Sequence, residues 1–373
     1  MKFSINRTLL LGNLNNVARA VSTKPQMPIL TGVKIEVKKD HLIMTASNSE
    51  IAIQSVISDT NDLIIQEEGV VVLPGKYLLD IIRKVESEMI DFMTFEDNVV
   101  KILADQSNFT LNVLDKEAFP HLSFENSQDM MMLDVLNLKQ IIKKTTFAAS
   151  LSEARMVLTG VHFALSDKRF EAVATDSFRL AQKILFLDNI PDIKVVIPSH
   201  SLDELNKIIE DLEEIVEMHF TKTKALFKYK NILFQTRLIE GVFPNISSLI
   251  PTNFLTELTF NKQEIIAAIE RASLFTSGES TNIIKLTLTE EGIVEISSTH
   301  NEIGAVLEKI QPKKCSTMVP FQIAFSSRFF LDALKVFDSP EVTVHFTGEI
   351  KPFIITGEYD VNHLQLILPV RVA

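Results

Sequence analysis

The sequence predicts an α+β fold made of three tandem copies of one domain. Residues 30–33 and 158–161 both read Leu-Thr-Gly-Val, and they lie about 128 residues apart. The polar turns at 46–49 and 174–177 lie at the same distance from each other, and a fainter copy follows at 298–301. A period of this size is the length of a whole domain rather than of a solenoid unit. We therefore expect three similar domains in a row.

Each copy is predicted to contain two helices. In the first, Leu10, Leu14 and Val17 recur at helical spacing, and Lys24-Pro25 ends the run because proline disfavours helix for the residue before it. Pro74 and Pro198 each precede a second helix with an apolar face. The six predicted helices span residues 7–24, 75–85, 137–149, 199–209, 262–275 and 326–337.

Short strands with period-two apolar patterns separate these helices, and polar turns bound them. Phe119-Pro120 and Phe243-Pro244 follow corresponding hairpins, about 124 residues apart, and indicate where domains end. The predicted domains are residues 1–124, 125–253 and 254–373. The predicted strands cover residues 29–37, 41–46, 70–73, 98–104, 109–114, 160–165, 170–174, 195–197, 225–229, 233–238, 284–288, 293–297, 342–346, 353–356 and 364–368.

Composition places the chain among ordinary globular proteins. Of 373 residues, 46% are hydrophobic and 23% are charged, and no apolar run is long enough to span a membrane. The N-terminus has no signal-peptide core, and the single cysteine, Cys315, excludes an internal disulfide. We expect a cytoplasmic protein without a membrane partner.

The charge of the predicted helices opposes that of the whole chain. The net charge is −11, yet the six helical segments carry 14 Lys and Arg against six Asp and Glu. If the helices share one side, that side is positive and suits a phosphate backbone held by counterion release. The alternative is an ordinary solvated surface, since Arg83 and Lys84 lie at a helix C-terminus, where the helix dipole favours cations.

No catalytic constellation is present in the sequence. Phosphate-binding glycine loops, nucleophile elbows and zinc-binding histidine pairs are all missing, and glycine is scarce, at 11 residues. Asp176 is predicted to be a turn residue that binds its own backbone rather than a catalytic acid. Cys315 follows two lysines, but a lone thiol without a base is weak evidence for catalysis. We expect no enzyme activity, no cofactor and no metal.

Four motifs resemble those of one family. They are residues 24–30 (Lys-Pro-Gln-Met-Pro-Ile-Leu), 174–180 (Ala-Thr-Asp-Ser-Phe-Arg-Leu), 241–244 (Gly-Val-Phe-Pro) and 368–371 (Leu-Pro-Val-Arg). In this order and spacing, inside three repeats, they resemble the bacterial DNA sliding clamps, the β subunits of the replicative DNA polymerase (DNA polymerase III). The resemblance covers the whole chain.

The resemblance implies a DNA polymerase processivity factor made of three DNA-clamp domains. It implies a head-to-tail homodimeric ring around duplex DNA, which binds the polymerase catalytic subunit, the clamp loader and other proteins with clamp-binding motifs. Partner peptides would enter a cleft lined by Leu158, Thr175, Ser177, Phe178, Arg179, Leu180, Pro244, Ser248, Leu249, Pro352, Leu366, Leu368, Pro369, Val370 and Arg371. DNA-facing residues would be Lys24, Lys76, Arg83, Lys84, Arg155 and Arg328. The dimer interface would include Ser107, Phe109, Leu111, Leu274 and Phe275.

Two positions depart from the family pattern. Phe178 stands where family members commonly have His, which makes the implied cleft more apolar. Lys24 stands where Arg is common and cannot make the bidentate phosphate contact of a guanidinium. The alternative function is a protein-interaction scaffold that does not encircle DNA.

Overall fold

The computed structural model describes residues 1–22, 27–58, 61–95, 98–210, 213–276, 282–300 and 302–371. Contacts divide the chain into two compact units. The first unit comprises Met1–Asn137 and Ser201–Leu238, and the second comprises Leu138–His200 and Ile239–Ala373. The sequence of the central repeat therefore contributes to both units. The predicted domain boundaries at 124 and 253 remain a prediction.

The described residues contain six α-helices, close to the predicted positions. They are α1 (Arg7–Val17), α2 (Gly75–Lys84), α3 (Val135–Thr145), α4 (Ser199–Asn206), α5 (Lys262–Ser273) and α6 (Ser327–Lys335). The first is shorter than predicted, because the chain tightens after Val17 into a 3₁₀ turn over Ala18–Ala20 and Val21 is extended. Asn6 and Asn261 cap α1 and α5 in the same way, since each side chain accepts hydrogen bonds from two backbone N–H groups of the first turn.

The structure has more strands than the sequence predicted. Strands β1–β9 are Lys2–Asn6, Gly32–Val37, His41–Ser47, Ile51–Ser58, Leu63–Glu67, Gly69–Pro74, Met89–Phe95, Val99–Ala104 and Ser107–Asn112. Strands β10–β17 are Met130–Asp134, Gly160–Ser166, Arg169–Thr175, Arg179–Phe186, Ile193–Pro198, Ile215–Phe220, Lys224–Tyr229 and Ile232–Arg237. Strands β18–β26 are Thr256–Asn261, Ile283–Leu288, Val294–His300, Gly304–Ile310, Lys314–Cys315, Phe321–Ser326, Glu341–Phe346, Phe353–Gly357 and His363–Ile367.

Each unit contains one long and one short antiparallel sheet. In the first unit the orders are β10-β15-β16-β17-β4-β3-β2-β6 and β5-β1-β7-β8-β9. In the second unit they are β14-β11-β12-β13-β26-β25-β24-β18-β22 and β21-β20-β19-β23. Helices cover the apolar faces: α2 buries Leu78 and Ile82, and α6 buries Phe330 and Leu334. Each such side chain contributes about 2 kcal/mol through burial.

The long sheets cross the joins between repeats through equivalent strand pairs. In the first unit β4 pairs with β17, so that Ala52 lies opposite Gln235. In the second unit β13 pairs with β26, so that Leu180 lies opposite Leu366. The predicted repeat is therefore visible in the register of the backbone, because an equivalent strand pair lies at each join.

Candidate functional site

An apolar cluster forms the floor of the cleft implied by the resemblance, at the β13–β26 pair in the second unit. Leu180 and Leu366 are buried there, with Leu368 packed beside them. The sequence analysis did not predict the other hydrophobic residues of this cluster, although one of them, Phe243, belongs to the recurring Phe-Pro motif. The neighbours are Val173, Phe243, Ile246, Ile250, Phe254, Ile354 and Leu364.

A tight turn over residues 175–179 shapes the rim of this cleft. The Oδ1 atom of Asp176 accepts hydrogen bonds from the backbone N–H groups of Phe178 (2.9 Å) and Arg179 (3.0 Å). Thr175 donates its hydroxyl to the Arg179 carbonyl at 2.6 Å, and Ser177 adopts a φ of 79°. The expectation that Asp176 is a turn residue is confirmed. The turn leaves Phe178 62% exposed beside the buried floor.

Arg179 is predicted to line the cleft, but its guanidinium lies inside the protein. It donates to Asp176 (3.0 Å), to Asp332 on α6 (2.7 Å) and to the Phe147 carbonyl (2.6 Å). The same group stacks between the rings of Phe147 and Phe329. Arg179 therefore supports the turn and joins it to α6.

The last described residues dock against the rim of the cleft. Leu368 donates its backbone N–H to the Phe178 carbonyl (2.9 Å), and Val370 donates to the Ala324 carbonyl (2.7 Å). Pro369 and Val370 are half-buried, and Arg371 is exposed. Chain ends fray unless they are tied down, so these hydrogen bonds keep the segment 368–370 beside Phe178.

The other predicted cleft residues lie outside the apolar cluster. Leu158 is buried at the end of the 3₁₀ helix Glu153–Thr159. Pro244 and Pro352 are half-buried, Ser248 is exposed, and Leu249 is 51% exposed. The cleft thus combines a buried aliphatic floor with exposed apolar groups at Phe178 and Leu249, which is the composition of a peptide groove.

A buried polar network lies next to the strand pair of the cleft. Lys144 on α3 forms an ion pair with Asp360, whose carboxylate also accepts hydrogen bonds from Ser339. Burial alone would raise the pKa of the Asp360 carboxyl group. The hydrogen bonds that Lys144 and Ser339 donate to it outweigh burial and hold this pKa far below its usual range. Burial, reinforced by the charge of Lys144, lowers the pKa of His363 to about 4.

The predicted DNA-facing residues are basic and exposed wherever the structure describes them. Lys76, Arg83 and Lys84 lie on α2 in the first unit. Arg83 donates to the side chain of Asn15 on α1 at 2.7 Å, while its neighbour Lys84 projects from the last helical turn. Arg155 and Arg328 are exposed in the second unit, and Lys24 lies outside the described residues.

Two of the short-sheet regions carry features that suit an interface. In the first unit β9 is an edge strand, with Phe109 and Leu111 half-buried on one face and Ser107 exposed. In the second unit Leu274 is 66% exposed after α5, and Phe275 is half-buried. An unpaired edge is a ready template for another strand, and an exposed leucine gains from being covered.

Among the described residues, no group of three or more His, Cys, Asp and Glu side chains could hold a metal ion. Cys315 is a free thiol that donates to the Thr317 carbonyl. Within the same part of the chain, every helix is too short or too polar to span a bilayer.

Three tandem α+β repeats, sheets continued across the joins and a peptide-type groove at one join together define the class of three-domain DNA clamps. Comparison with known proteins agrees. The chain belongs to the DNA polymerase III beta subunit family: residues 1–123 match its N-terminal domain, residues 132–245 its central domain and residues 247–371 its C-terminal domain. This chain therefore has the function of the family and acts as a DNA polymerase processivity factor.

Individual relatives support the assignment over the whole length. The chain is 40% identical to the beta sliding clamp of Staphylococcus aureus (strain Mu50 / ATCC 700699), covering 100% of this chain and 99% of the relative. The solved DNA polymerase sliding clamp of Bacillus subtilis has a TM-score of 0.95 at 38% identity, and both chains are covered completely. The DNA polymerase III beta chain of Streptococcus pneumoniae TIGR4 has a TM-score of 0.96 at 37% identity, again with full coverage of both chains.

Proposed function

We propose that this chain forms a head-to-tail homodimeric ring that encircles duplex DNA and tethers the replicative polymerase through the apolar cleft. The clamp loader and other proteins with clamp-binding motifs would use the same cleft. The ring consists of six domains, three per chain, with boundaries near residues 124 and 253. The protein performs no chemistry and acts in the cytoplasm.

The observation that carries this proposal is the arrangement around Leu180 and Leu366. These two side chains form a buried floor, while Phe178 and Leu249 remain exposed beside it. An exposed phenylalanine costs free energy in water, which a partner's apolar side chain relieves by covering it. Tethering then raises the local concentration of the polymerase at DNA by making each rebinding event intramolecular.

The basic residues of α2 support the DNA role. Lys76, Arg83 and Lys84 place three positive charges on an exposed helix of a protein with a net charge of −11. Contacts between such groups and phosphates are independent of sequence and weaken with salt. A ring that holds DNA topologically needs no stronger contact, and weak contacts allow it to slide.

The edge strand β9 supports the dimer. Its exposed hydrogen-bonding groups and half-buried Phe109 and Leu111 suit pairing with the third domain of a second copy, near Leu274 and Phe275. A contact between different surfaces of two identical chains closes into a ring when the rotation allows it. Ring closure would leave neither surface open to aggregation.

The decisive experiment measures retention on DNA. Protein loaded onto a nicked circular plasmid by a clamp loader is separated by gel filtration, and the plasmid is then linearised. We expect the protein to stay on the circle and to leave the linear form. Retention on linear DNA with free ends would contradict encirclement. A protein that binds polymerase but is never retained on the circle would instead be the scaffold without DNA encirclement.

A further inference from the structure

The first strand of each repeat leads directly into the first helix of that repeat. These strands are β1, β10 and β18. The residue after each strand donates its backbone N–H to the carbonyl just before the neighbouring strand: Arg7 to Glu88 (2.9 Å), Val135 to Glu214 (2.8 Å) and Lys262 to Pro340 (2.9 Å). Because this hydrogen bond is shared, the three strands can be compared position by position.

Two of these strands have a short antiparallel strand on their outer edge. In the first repeat β5 pairs with β1, and in the third repeat β22 pairs with β18. Among the described residues β10 pairs only with β15 and ends its sheet. The connections that contain β5 and β22 are each ten residues long, 59–68 and 311–320, whereas the equivalent connection between β13 and β14 has six, 187–192, and contains no strand. The central repeat therefore lacks the covering strand.

The backbone of β10 presents hydrogen-bonding groups at this free edge. Phe220 donates its N–H to the Asp129 carbonyl (2.9 Å) and Val135 donates to the Glu214 carbonyl, so every second residue from 129 to 135 bonds to the β15 side. In an antiparallel ladder the residues between these point their N–H and C=O groups the other way. The residues whose backbone groups face the free edge are therefore Met130, Met132 and Asp134.

The corresponding groups in the other two repeats are bonded to the covering segments. Asn6, which corresponds to Asp134, donates its N–H to the Asp62 carbonyl at 2.7 Å. The carbonyl of Glu257, which corresponds to Met130, accepts from the Ser316 N–H at 3.0 Å. An open edge of this kind is where an extended peptide adds as a further strand.

The side chains at the free edge of β10 are apolar where the other repeats are polar. Met132 is 61% exposed, and Ile215, its diagonal neighbour on the same face of β15, is 57% exposed. Met130 is half-buried on that face. The residues that correspond to the two methionines are Lys2 and Ser4 in the first repeat and Glu257 and Thr259 in the third. An apolar side chain on an added strand would cover this patch.

Asp134 gives the same face a negative charge without a counter-ion. It is exposed, its carboxylate accepts a hydrogen bond from Asn137 at 3.2 Å, and among the described residues it forms no ion pair. The carboxylate of Glu217, opposite Met132, is already paired with Lys228 (2.7 Å) and His219. A cation opposite Asp134 would therefore form a favourable cross-strand pair.

We propose that the free edge of β10 binds an extended segment of a partner protein as an added antiparallel strand. The segment places apolar side chains opposite Met130 and Met132 and a Lys or Arg opposite Asp134. A second copy of this chain fits less well, because two β10 strands paired about Met132 would set each Asp134 opposite a methionine rather than a cation. Neither DNA encirclement nor occupation of the apolar cleft is required for this interaction.

The test uses the full-length protein and the fluorescein-labelled hexapeptide Lys-Thr-Ile-Thr-Val-Lys. In the proposed register its first lysine faces Asp134, its isoleucine faces Met132 and its valine faces Met130. N-methylation of the isoleucine and the valine removes the two N–H groups that point to β10, and should weaken binding about tenfold in fluorescence anisotropy. The matched control peptide is N-methylated at both threonines, whose N–H groups point to solvent, and should bind as the parent peptide does.

Variants of the protein locate the binding edge. Met132→Pro removes an N–H that faces solvent rather than β15, so the fold should persist while peptide binding is lost. Met132→Ser introduces the residue of the first repeat and should weaken binding about threefold, as should Asp134→Asn, which keeps the acceptor for Asn137. The matched control is Met156→Ser, at a methionine that is 52% exposed, and it should bind as the unchanged protein does.

The two N-methylated peptides keep the test decisive even if Met132→Pro does not fold. Absence of saturable binding, or equal affinities of the two N-methylated peptides, overturns the proposal. Undiminished binding to a folded Met132→Pro variant also overturns it, because the peptide would then lie at another sheet edge. Assemblies larger than a dimer that disappear in Met132→Pro, measured by analytical ultracentrifugation, would overturn it in favour of a second copy of the chain.

Discussion

Lys144 and Asp360 form an ion pair in which both side chains are enclosed by protein, at 3% and 0% exposure. Removing the carboxylate of Asp360 leaves the buried Lys144 with only Asp338, at 3.0 Å and more than half exposed, as a counter-charge. We expect Asp360→Asn to lower the free energy of unfolding by about 3 kcal/mol. Urea unfolding at pH 7, followed by circular dichroism because the chain has no tryptophan, measures the change.

The neighbouring lysine provides the control for this prediction. Lys143 pairs with Asp338 at 3.3 Å, but both side chains are more than half exposed. Lys143→Ala should therefore change stability by less than about 1 kcal/mol. Equal effects of the two substitutions would show that burial does not determine the strength of the Lys144 pair.

His363 should make the protein less stable in mild acid. Its Nδ1 contacts the Gln182 carbonyl at 3.0 Å, while its Nε2 faces the amide nitrogen of Gln365 at 3.3 Å, an arrangement that suits only the neutral ring. The folded pKa is about 4, against about 6.5 in an unfolded chain. The unfolded state then binds the extra proton first, so stability that is full above pH 6.5 falls as the pH approaches 4. The loss is about 3 kcal/mol at most.

Urea unfolding at several pH values between about 4 and 7.5 measures this loss. The variant His363→Gln should have a flatter dependence on pH than the unchanged protein. His200→Gln, at an exposed position of the same unit, should keep the original slope. A His363→Gln profile parallel to that of the unchanged protein would contradict the assignment.

Arg179 should contribute to the stability of the folded protein, although the sequence predicts it only as a residue that lines the cleft. Arg179→Ala leaves Asp176 and Asp332 without their cation, so we expect a loss of about 3 kcal/mol. Arg169→Ala is the matched control, because Arg169 pairs with Glu171 while remaining 43% exposed. Thermal unfolding by circular dichroism compares them, and a smaller shift for Arg179→Ala than for the control would refute the supporting role.

Leu249 should contribute to partner binding without contributing to the core. It is 51% exposed, and covering its remaining surface is worth up to about 1.5 kcal/mol. Leu249→Ala should therefore weaken a polymerase-derived peptide roughly tenfold in isothermal calorimetry. Val242→Ala, at a 93% exposed residue, is the control and should bind as the unchanged protein does.

The α2 cations should set the salt dependence of DNA binding. Replacing Lys76, Arg83 and Lys84 by Ala should reduce the slope of log affinity against log salt by about 0.9 for each phosphate that the variant no longer neutralises. Short duplex DNA, which cannot retain a ring, isolates this effect from encirclement. An unchanged slope in the triple variant would show that the phosphate-binding groups lie elsewhere in the protein. The charge control is Lys38→Ala/Lys39→Ala, which removes two exposed charges from the turn between β2 and β3.

The fold and the turn of the cleft could be predicted because their signals are local or repeated. The Asp176 turn has its donors and acceptor within three residues, and the repeat appears as identical segments about 128 residues apart. By contrast, 216 residues separate Lys144 from Asp360. Next to Lys143 in the sequence, Lys144 resembles part of a solvated basic face, and only tertiary packing distinguishes the two.

Strand β1 illustrates another limit of the sequence. It covers only Lys2–Asn6, and its partners are β5 and β7, which come much later in the chain. Five residues of alternating polarity are too short to separate from a loop. Arg179 shows the same limit for a side chain: the family motif marks its position, but not that its guanidinium lies between Phe147 and Phe329.

The sheet that crosses the join at β13 and β26 has a mechanical consequence. A partner pulling on the cleft pulls on nine strands linked by backbone hydrogen bonds, rather than on a flexible tether. Such a joint resists bending as a plate does and spreads the load over many bonds. The attachment site of a polymerase bound there would deform little under load. A force that the polymerase exerts would therefore be transmitted to the clamp with little loss in stretching the attachment.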